Sequence, residues 1–131
     1  MICFLDTNSC VFFMNGKNEN IRQKVLAKPK SQILIPAIVA GELYYGAEKS
    51  GRREFNLRRA QEFLSDFAIA VYDEAAAIAY GKIKAELERR GEKIPVNDYL
   101  IAAIVWSRGG VLVTDDAHFS RIRGLIIENW N

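Results

Sequence analysis

A chain of 131 residues, half hydrophobic and 26% charged with three prolines, has the composition of one soluble folded domain spanning 1–131, not of a disordered or fibrous chain. No apolar run approaches the ~20 residues that span a bilayer, and residues 1–6 lack the basic region and cleavage site of a secretory leader, so a cytoplasmic protein is expected. Two cysteines and a single histidine exclude a disulfide framework and give zinc no suitable ligand set.

Residues 2–5 are apolar and end in a polar turn, which predicts a buried strand with Cys3 as a small hydrophobe. Asn8 or Ser9 can cap a brief helix over 11–14, ended by Asn15-Gly16, and 19–27 predicts a second helix with Ile21, Val25 and Leu26 on one face. Pro29 breaks the chain before a strand at 32–35. Helices are expected over 38–49 and 53–65, then a strand at 68–72. Asp73 caps a long amphipathic helix over 74–90 that Gly91 ends. Residues 95–97 open a helix over 98–107 that is apolar nearly all round and therefore central. Gly109-Gly110 stops it, and strands follow at 111–114 and 125–128. Short apolar strands alternating with helices argue for an α/β fold, with a parallel sheet covered on both faces.

Four acids stand where these apolar elements meet polar turns or helix starts. Asp6 closes the first strand, Glu42 interrupts the apolar stretch 38–45, Asp98 precedes the run 100–106, and Asp116 follows the strand at 111–114. A solvated carboxylate needs no such placement. In open α/β sheets, sites form beyond the carboxyl ends of the strands, and all four acids can meet at that edge. Carboxylates gathered there repel: a like-charge pair ~4 Å apart costs ~4 kcal/mol at an effective dielectric of 20. Shifted pKa values or a hard cation such as Mg²⁺ or Mn²⁺ relieve that repulsion. Setting the four aside leaves 18 basic against 12 acidic side chains, a balance of +6 that suits a polyanionic partner.

The sequences around these acids resemble a known family. Phe4-Leu5-Asp6-Thr7-Asn8, Ala40-Gly41-Glu42-Leu43-Tyr44-Tyr45-Gly46-Ala47, Pro95-Val96-Asn97-Asp98-Tyr99-Leu100-Ile101-Ala102-Ala103 and Leu112-Val113-Thr114-Asp115-Asp116-Ala117-His118-Phe119 are similar, in order, to the successive motifs of PIN-domain proteins, above all the VapC-type toxins of toxin–antitoxin systems. Gly124-Leu125 and the closing Glu128-Asn129-Trp130 extend the resemblance over essentially the whole chain. It implies a three-layer α/β/α sandwich with a mainly parallel sheet of four to five strands. It also implies a Mg²⁺- or Mn²⁺-dependent endoribonuclease, a homodimer, and a cognate VapB-type antitoxin that lays a segment with a basic side chain across the pocket.

By that resemblance Asp6, Glu42 and Asp98 match the family's three core acids and Asp116 its more variable fourth position. Thr114 and Thr7 match accessory hydroxyls, and Asn8 lies beside the first acid. The chemistry agrees, because carboxylates prefer Mg²⁺ or Mn²⁺, and water held by such an ion is acidic enough to attack phosphorus. Asp6, Glu42 and Asp98 are read as metal ligands, Asp116 as an outer or second-metal ligand, and Thr114 as a hydroxyl orienting it. One ion and two are both compatible with the sequence.

Each residue also has a plainer use. Asp6 can open an Asx-turn, Glu42 can be an ordinary helix glutamate, and Asp98 can complement its helix dipole, although Asn97 is already available as a cap. Of Asp115 and Asp116, motif alignment favours Asp116 for the site. His118 is expected to pack on or cap the turn before Phe119, since a metal-activated water does not need it. Lys49, Arg52, Arg53, Arg58 and Arg59 form a basic face, solvated or facing RNA phosphates, and Arg121 and Arg123 lie nearer the pocket in sequence. Tyr44, Tyr45, Tyr99 and Trp106 can stack on bases, with core packing the commoner use.

Four other readings compete. A haloacid-dehalogenase-type phosphohydrolase needs a second aspartate where Asn8 stands, and a receiver domain needs a lysine that is absent after 111–114. A PIN domain that processes RNA outside any toxin pair keeps the same acids. A non-catalytic binding domain does not explain four acids held together.

Overall fold

The computed structural model describes residues 1–131. Five strands, β1 (Cys3–Leu5), β2 (Ile33–Pro36), β3 (Ala68–Ala70), β4 (Val111–Val113) and β5 (Ile126–Glu128), form one sheet in the order β3-β2-β1-β4-β5. All four pairings are parallel, so the expected mainly parallel sheet is parallel throughout. Six helices connect and cover it: α1 (Thr7–Asn15), α2 (Glu19–Ala27), α3 (Ala37–Glu48), α4 (Arg53–Leu64), α5 (Glu74–Arg89) and α6 (Val96–Ser107). Because the chain steps outward from β1 to β3 and then returns past β1 to β4, right-handed crossovers send α5 and α6 to the face opposite α1–α4. The result is the α/β sandwich.

Residues of β1 and β4 are all buried, which is why they read as unbroken apolar runs. Phe4 lies at the middle of this core, paired with Leu34 on one side and Leu112 on the other. Burying a side chain of that size contributes roughly 1.5–3 kcal/mol. Its ring occupies the space beside Gly110, where an added Cβ would lie 2.3 Å from Phe4 Cε1. The two glycines after α6 therefore divide their work: Gly109, at φ 66°, turns the chain, and Gly110 makes room for the core.

Three boundaries differ from those predicted by two residues or more, the others by one at most. The helix expected at 11–14 begins at Thr7, and its N-cap is Asp6, not Asn8 or Ser9; the Asp6 side chain accepts from Ser9 N–H at 2.8 Å. A strand passes directly into a helix here, and an aspartate at the junction satisfies the first free amides. The helix expected from Asp98 starts at Val96 after Pro95, whose carbonyl accepts from the amides of Asp98 and Tyr99. Asn97 is thus inside the helix and caps nothing. The strand expected to reach Tyr72 ends at Ala70, because β3 is an edge and Val71 and Tyr72 face solvent. A 3₁₀ turn, Ala117–Arg121, follows β4.

The reversal of strand order between β1 and β4 fixes where a site can form. The segments leaving the carboxyl ends of these two strands diverge, opening a crevice at the switch point.

Candidate active site

Asp6 follows β1 at that crevice and Asp116 lies just past β4. Glu42 reaches it from the middle of α3 and Asp98 from the first turn of α6. All four carboxylates line one cleft of about 180 Å³, floored by Ile101 and Phe119 and edged by Thr7 and Asn8. Asp115 does not line it: that side chain is exposed and accepts from Asn131 Nδ2 at 2.8 Å.

Each acid is held by neighbours. Asp6 is only 5% exposed, its backbone N–H donates to Val113 O at 3.1 Å, and Ser9 Oγ donates to the same carbonyl at 3.2 Å. Glu42 accepts from the Thr7 hydroxyl at one oxygen and from Asn97 Nδ2, at 3.3 Å, at the other. The Thr114 hydroxyl is buried and accepts from Asp116 N–H at 3.0 Å. Asp116 Oδ1 in turn accepts from His118 N–H at 2.9 Å. The turn after β4 is therefore laced from Thr114 through Asp116 to His118.

Burial pushes the Asp6 carboxyl above its ordinary value of 3.8. Hydrogen bonds from Thr114 and from the side chain and amide of Ser9 pull it partly back, and the Asp115 charge adds to the rise. Asp98 is also raised, first by desolvation and then by the charges of Asp116 and Glu42, while His118 opposes the shift. Both acids therefore resist ionisation, chiefly because they are withdrawn from water. An all-carboxylate set of hard oxygen donors fits a divalent cation such as Mg²⁺ or Mn²⁺, and the ligand atoms of Asp98, Asp116 and His118 all lie within 4.8 Å of one another.

His118 departs from expectation. It does not simply pack on the turn before Phe119: its Nδ1 lies 3.2 Å from Asp116 Oδ1 and 3.4 Å from Asp98 Oδ2. The signal was the spacing, since a residue two places beyond an aspartate that caps a tight turn is folded back over it. Asn97, expected as a cap, is instead the amide that steadies Glu42.

The basic residues are more committed than the sequence suggested. Arg121 donates to Lys93 O at 3.0 Å and lies 3.8 Å from Glu92, and Arg123 lies 3.5 Å from Glu86, so both brace the turn against α5 and its C-terminal loop. Arg59 donates to Met14 O at 2.8 Å, Arg53 pairs with Glu48, and Arg52 stacks on Phe55. Among the aromatics Tyr99 is buried and Trp106 half-buried beside Gly124, whereas Tyr45 is exposed under Lys49. Next to the cleft, and sharing Thr7 and Glu42 with it, runs a groove of about 350 Å³ whose apolar walls are Val11, Met14, Leu43 and Ala60.

Comparison with known proteins agrees with this architecture. The PIN domain family matches residues 3–125. The tRNA(fMet)-specific endonuclease VapC of Salmonella typhimurium is 42% identical over 127 residues, which cover 96% of either chain. Ribonuclease VapC2 of Rickettsia felis is 38% identical over 134 residues, covering 100% of this chain and 99% of that one. The crystal structure of DNA-bound VapBC from Salmonella typhimurium contains a chain that superposes with a TM-score of 0.94 at 41% identity, over 100% of this chain and 99% of its own. With the family match spanning residues 3–125 and relatives 38–42% identical over nearly the full length, the chain belongs to the PIN-domain family and, within it, to the VapC ribonucleases.

Proposed function

We propose that the protein is the toxin of a toxin–antitoxin pair and cuts RNA phosphodiester bonds in the cleft of Asp6, Glu42, Asp98 and Asp116, with Mg²⁺ or Mn²⁺ as cofactor. The observation that carries this reading is the convergence of four carboxylates from four separate elements into one cleft at the switch point. Asp6, Glu42 and Asp98 would hold the cation, and Asp116, beside Asp98, would support it as an outer or second-metal ligand. A bound divalent cation supplies positive charge for the phosphate and for the departing oxygen, and lowers the pKa of an attacking water.

The chain's own residues do the positioning. Thr7 and Asn97 each take one oxygen of Glu42, which fixes the plane of that carboxylate. Thr114 fixes Asp116 through its amide. Ile101 and Phe119 keep one side of the cleft apolar, which strengthens every charge interaction inside it. Four carboxylates repel an RNA phosphate unless a cation supplies the countercharge.

The Salmonella relative is named for tRNA(fMet), which makes initiator tRNA the first substrate to try. The adjoining groove of Val11, Met14, Leu43 and Ala60 suits an apolar segment of the antitoxin, and Glu42 at its end suits a basic side chain from that segment. The same reading places the protein in the cytoplasm, as a homodimer; no helix is long and apolar enough to cross a membrane.

The test is RNA cleavage by the purified protein. Cleavage should require Mg²⁺ or Mn²⁺, stop on chelation, and fall by at least roughly 10–100-fold in Asp98→Asn, the range lost when even a supporting residue leaves a metal site. Growth arrest on expression should disappear in the same variant and on co-expression of the antitoxin. Cleavage that persists in chelator would overturn the metal-dependent reading.

A further inference from the structure

His118 brings an imidazole nitrogen beside two of the acids of the cleft, Asp98 and Asp116. Its Nδ1 and one oxygen each from Asp98 and Asp116 form a set of three within 4.8 Å of one another. Around a cation with ligands at about 2.1 Å, neighbouring octahedral ligands stand about 3 Å apart. The separations of 3.2 Å to Asp116 Oδ1 and 3.4 Å to Asp98 Oδ2 are close to that spacing, so a cation can enter with a small adjustment of side chains.

The ring is also aimed by the backbone. The hydrogen bonds from Asp116 N–H to Thr114 Oγ1 and from His118 N–H to Asp116 Oδ1 fold the turn so that residue 118 faces back over residue 116. The His118 side chain is 41% exposed, and the core does not dictate its orientation. Nδ1 also lies within hydrogen-bond distance of Asp98 Oδ2 and close to Asp116 Oδ1, so the ring already faces both acids.

A nitrogen ligand changes which cation the site prefers. Mg²⁺ takes oxygen ligands and keeps its waters, whereas imidazole suits first-row transition metals. We propose that His118 ligates the cation through Nδ1, beside Asp98 and Asp116, and that this nitrogen makes the site select Mn²⁺ over Mg²⁺. The inference rests on the reading of the acidic cleft as a metal site. If His118 were only a counter-ion to the carboxylates, it would compete with an entering cation, and its removal would leave binding of either ion unchanged or tighter.

The experiment uses the full-length protein with Mn²⁺ or Mg²⁺ alone, without RNA. Pulsed electron paramagnetic resonance of bound Mn²⁺ should show coupling to a histidine nitrogen in the wild type and none in His118→Ala. Calorimetric titration should give Mn²⁺ affinity lower in the variant by roughly 10- to 100-fold, with Mg²⁺ affinity changed only a few-fold. Absence of nitrogen coupling in the wild type overturns the proposal by a measurement that needs no variant to fold. So does an equal loss of both ions. If Mn²⁺ binds without nitrogen coupling and binding is lost in Asp6→Asn, the acidic site stands and only the role of His118 fails. If wild type binds neither ion, both readings fall.

Discussion

Asp6 holds two positions at once, as the cap of α1 and as the most buried acid of the cleft. Asparagine caps a helix about as well as aspartate, while alanine at a cap costs about 1 kcal/mol. In metal-free protein Asp6→Asn should therefore keep the helix and remove a buried charge, raising Tm, whereas Asp6→Ala should gain less. The pH dependence follows from the direction of the shift. The folded carboxyl is raised above 3.8, so below that value Asp6 is protonated in folded and unfolded chains alike and carries no penalty. As pH rises, the unfolded chain ionises first, and wild type loses stability until the folded carboxyl has also ionised. Thermal melts in chelator should show the advantage of Asp6→Asn opening as pH climbs through that window; an advantage that does not change with pH would mean that the burial of Asp6 is not what destabilises it.

At the scale of elements, the junctions decide what the helices deliver. The early start of α1 brings Thr7 within reach of Glu42, and the early start of α6 brings Asn97 to the other oxygen of the same carboxylate. A helix beginning at residue 11, as the periodicity alone suggests, would have left Thr7 in a loop. The turn between α6 and β4 is equally constrained. Gly110→Ala should destabilise the protein by about 1–3 kcal/mol, because the new methyl meets the Phe4 ring between two central strands. Chemical denaturation measures this as a lower midpoint with an unchanged slope. Cleavage per folded molecule should hold, since the cleft lies beyond the opposite, carboxyl ends of these strands.

At the scale of the whole molecule, the proposed cation would be linked to folding. Four carboxylates held at one sheet edge raise the energy of the metal-free fold, and a cation that binds only the folded chain returns that energy. At a concentration 100 times its Kd, such an ion adds about 2.7 kcal/mol of stability. Thermal melts should accordingly show a higher Tm with Mn²⁺ or Mg²⁺ than in chelator, and this gap should collapse in Asp98→Asn. A Tm indifferent to both ions in the wild type would show that the acids form no metal site.

Much was legible before any coordinates. Strands β1 and β4 are short, wholly apolar and bounded by turns, and α6 is apolar on all sides, so their burial was written in composition and periodicity. Four acids at the ends of such elements pointed to a common edge for the same reason, and the motifs around them ranked Asp116 above Asp115. Local sequence determined which strands and which central helix are buried and which acids stand at the switch point, while Leu26, expected on one face with Ile21 and Val25, is 61% exposed. Only the tertiary structure decided that Asp6 is the cap of α1, that Asn97 serves Glu42 across 55 positions of sequence, and that the His118 ring lies beside Asp98 and Asp116. Periodicity reports the face a side chain takes within its own element, but a hydrogen bond between α3 and α6, or a ring folded over a turn, depends on how far apart two elements settle once the core between them is packed.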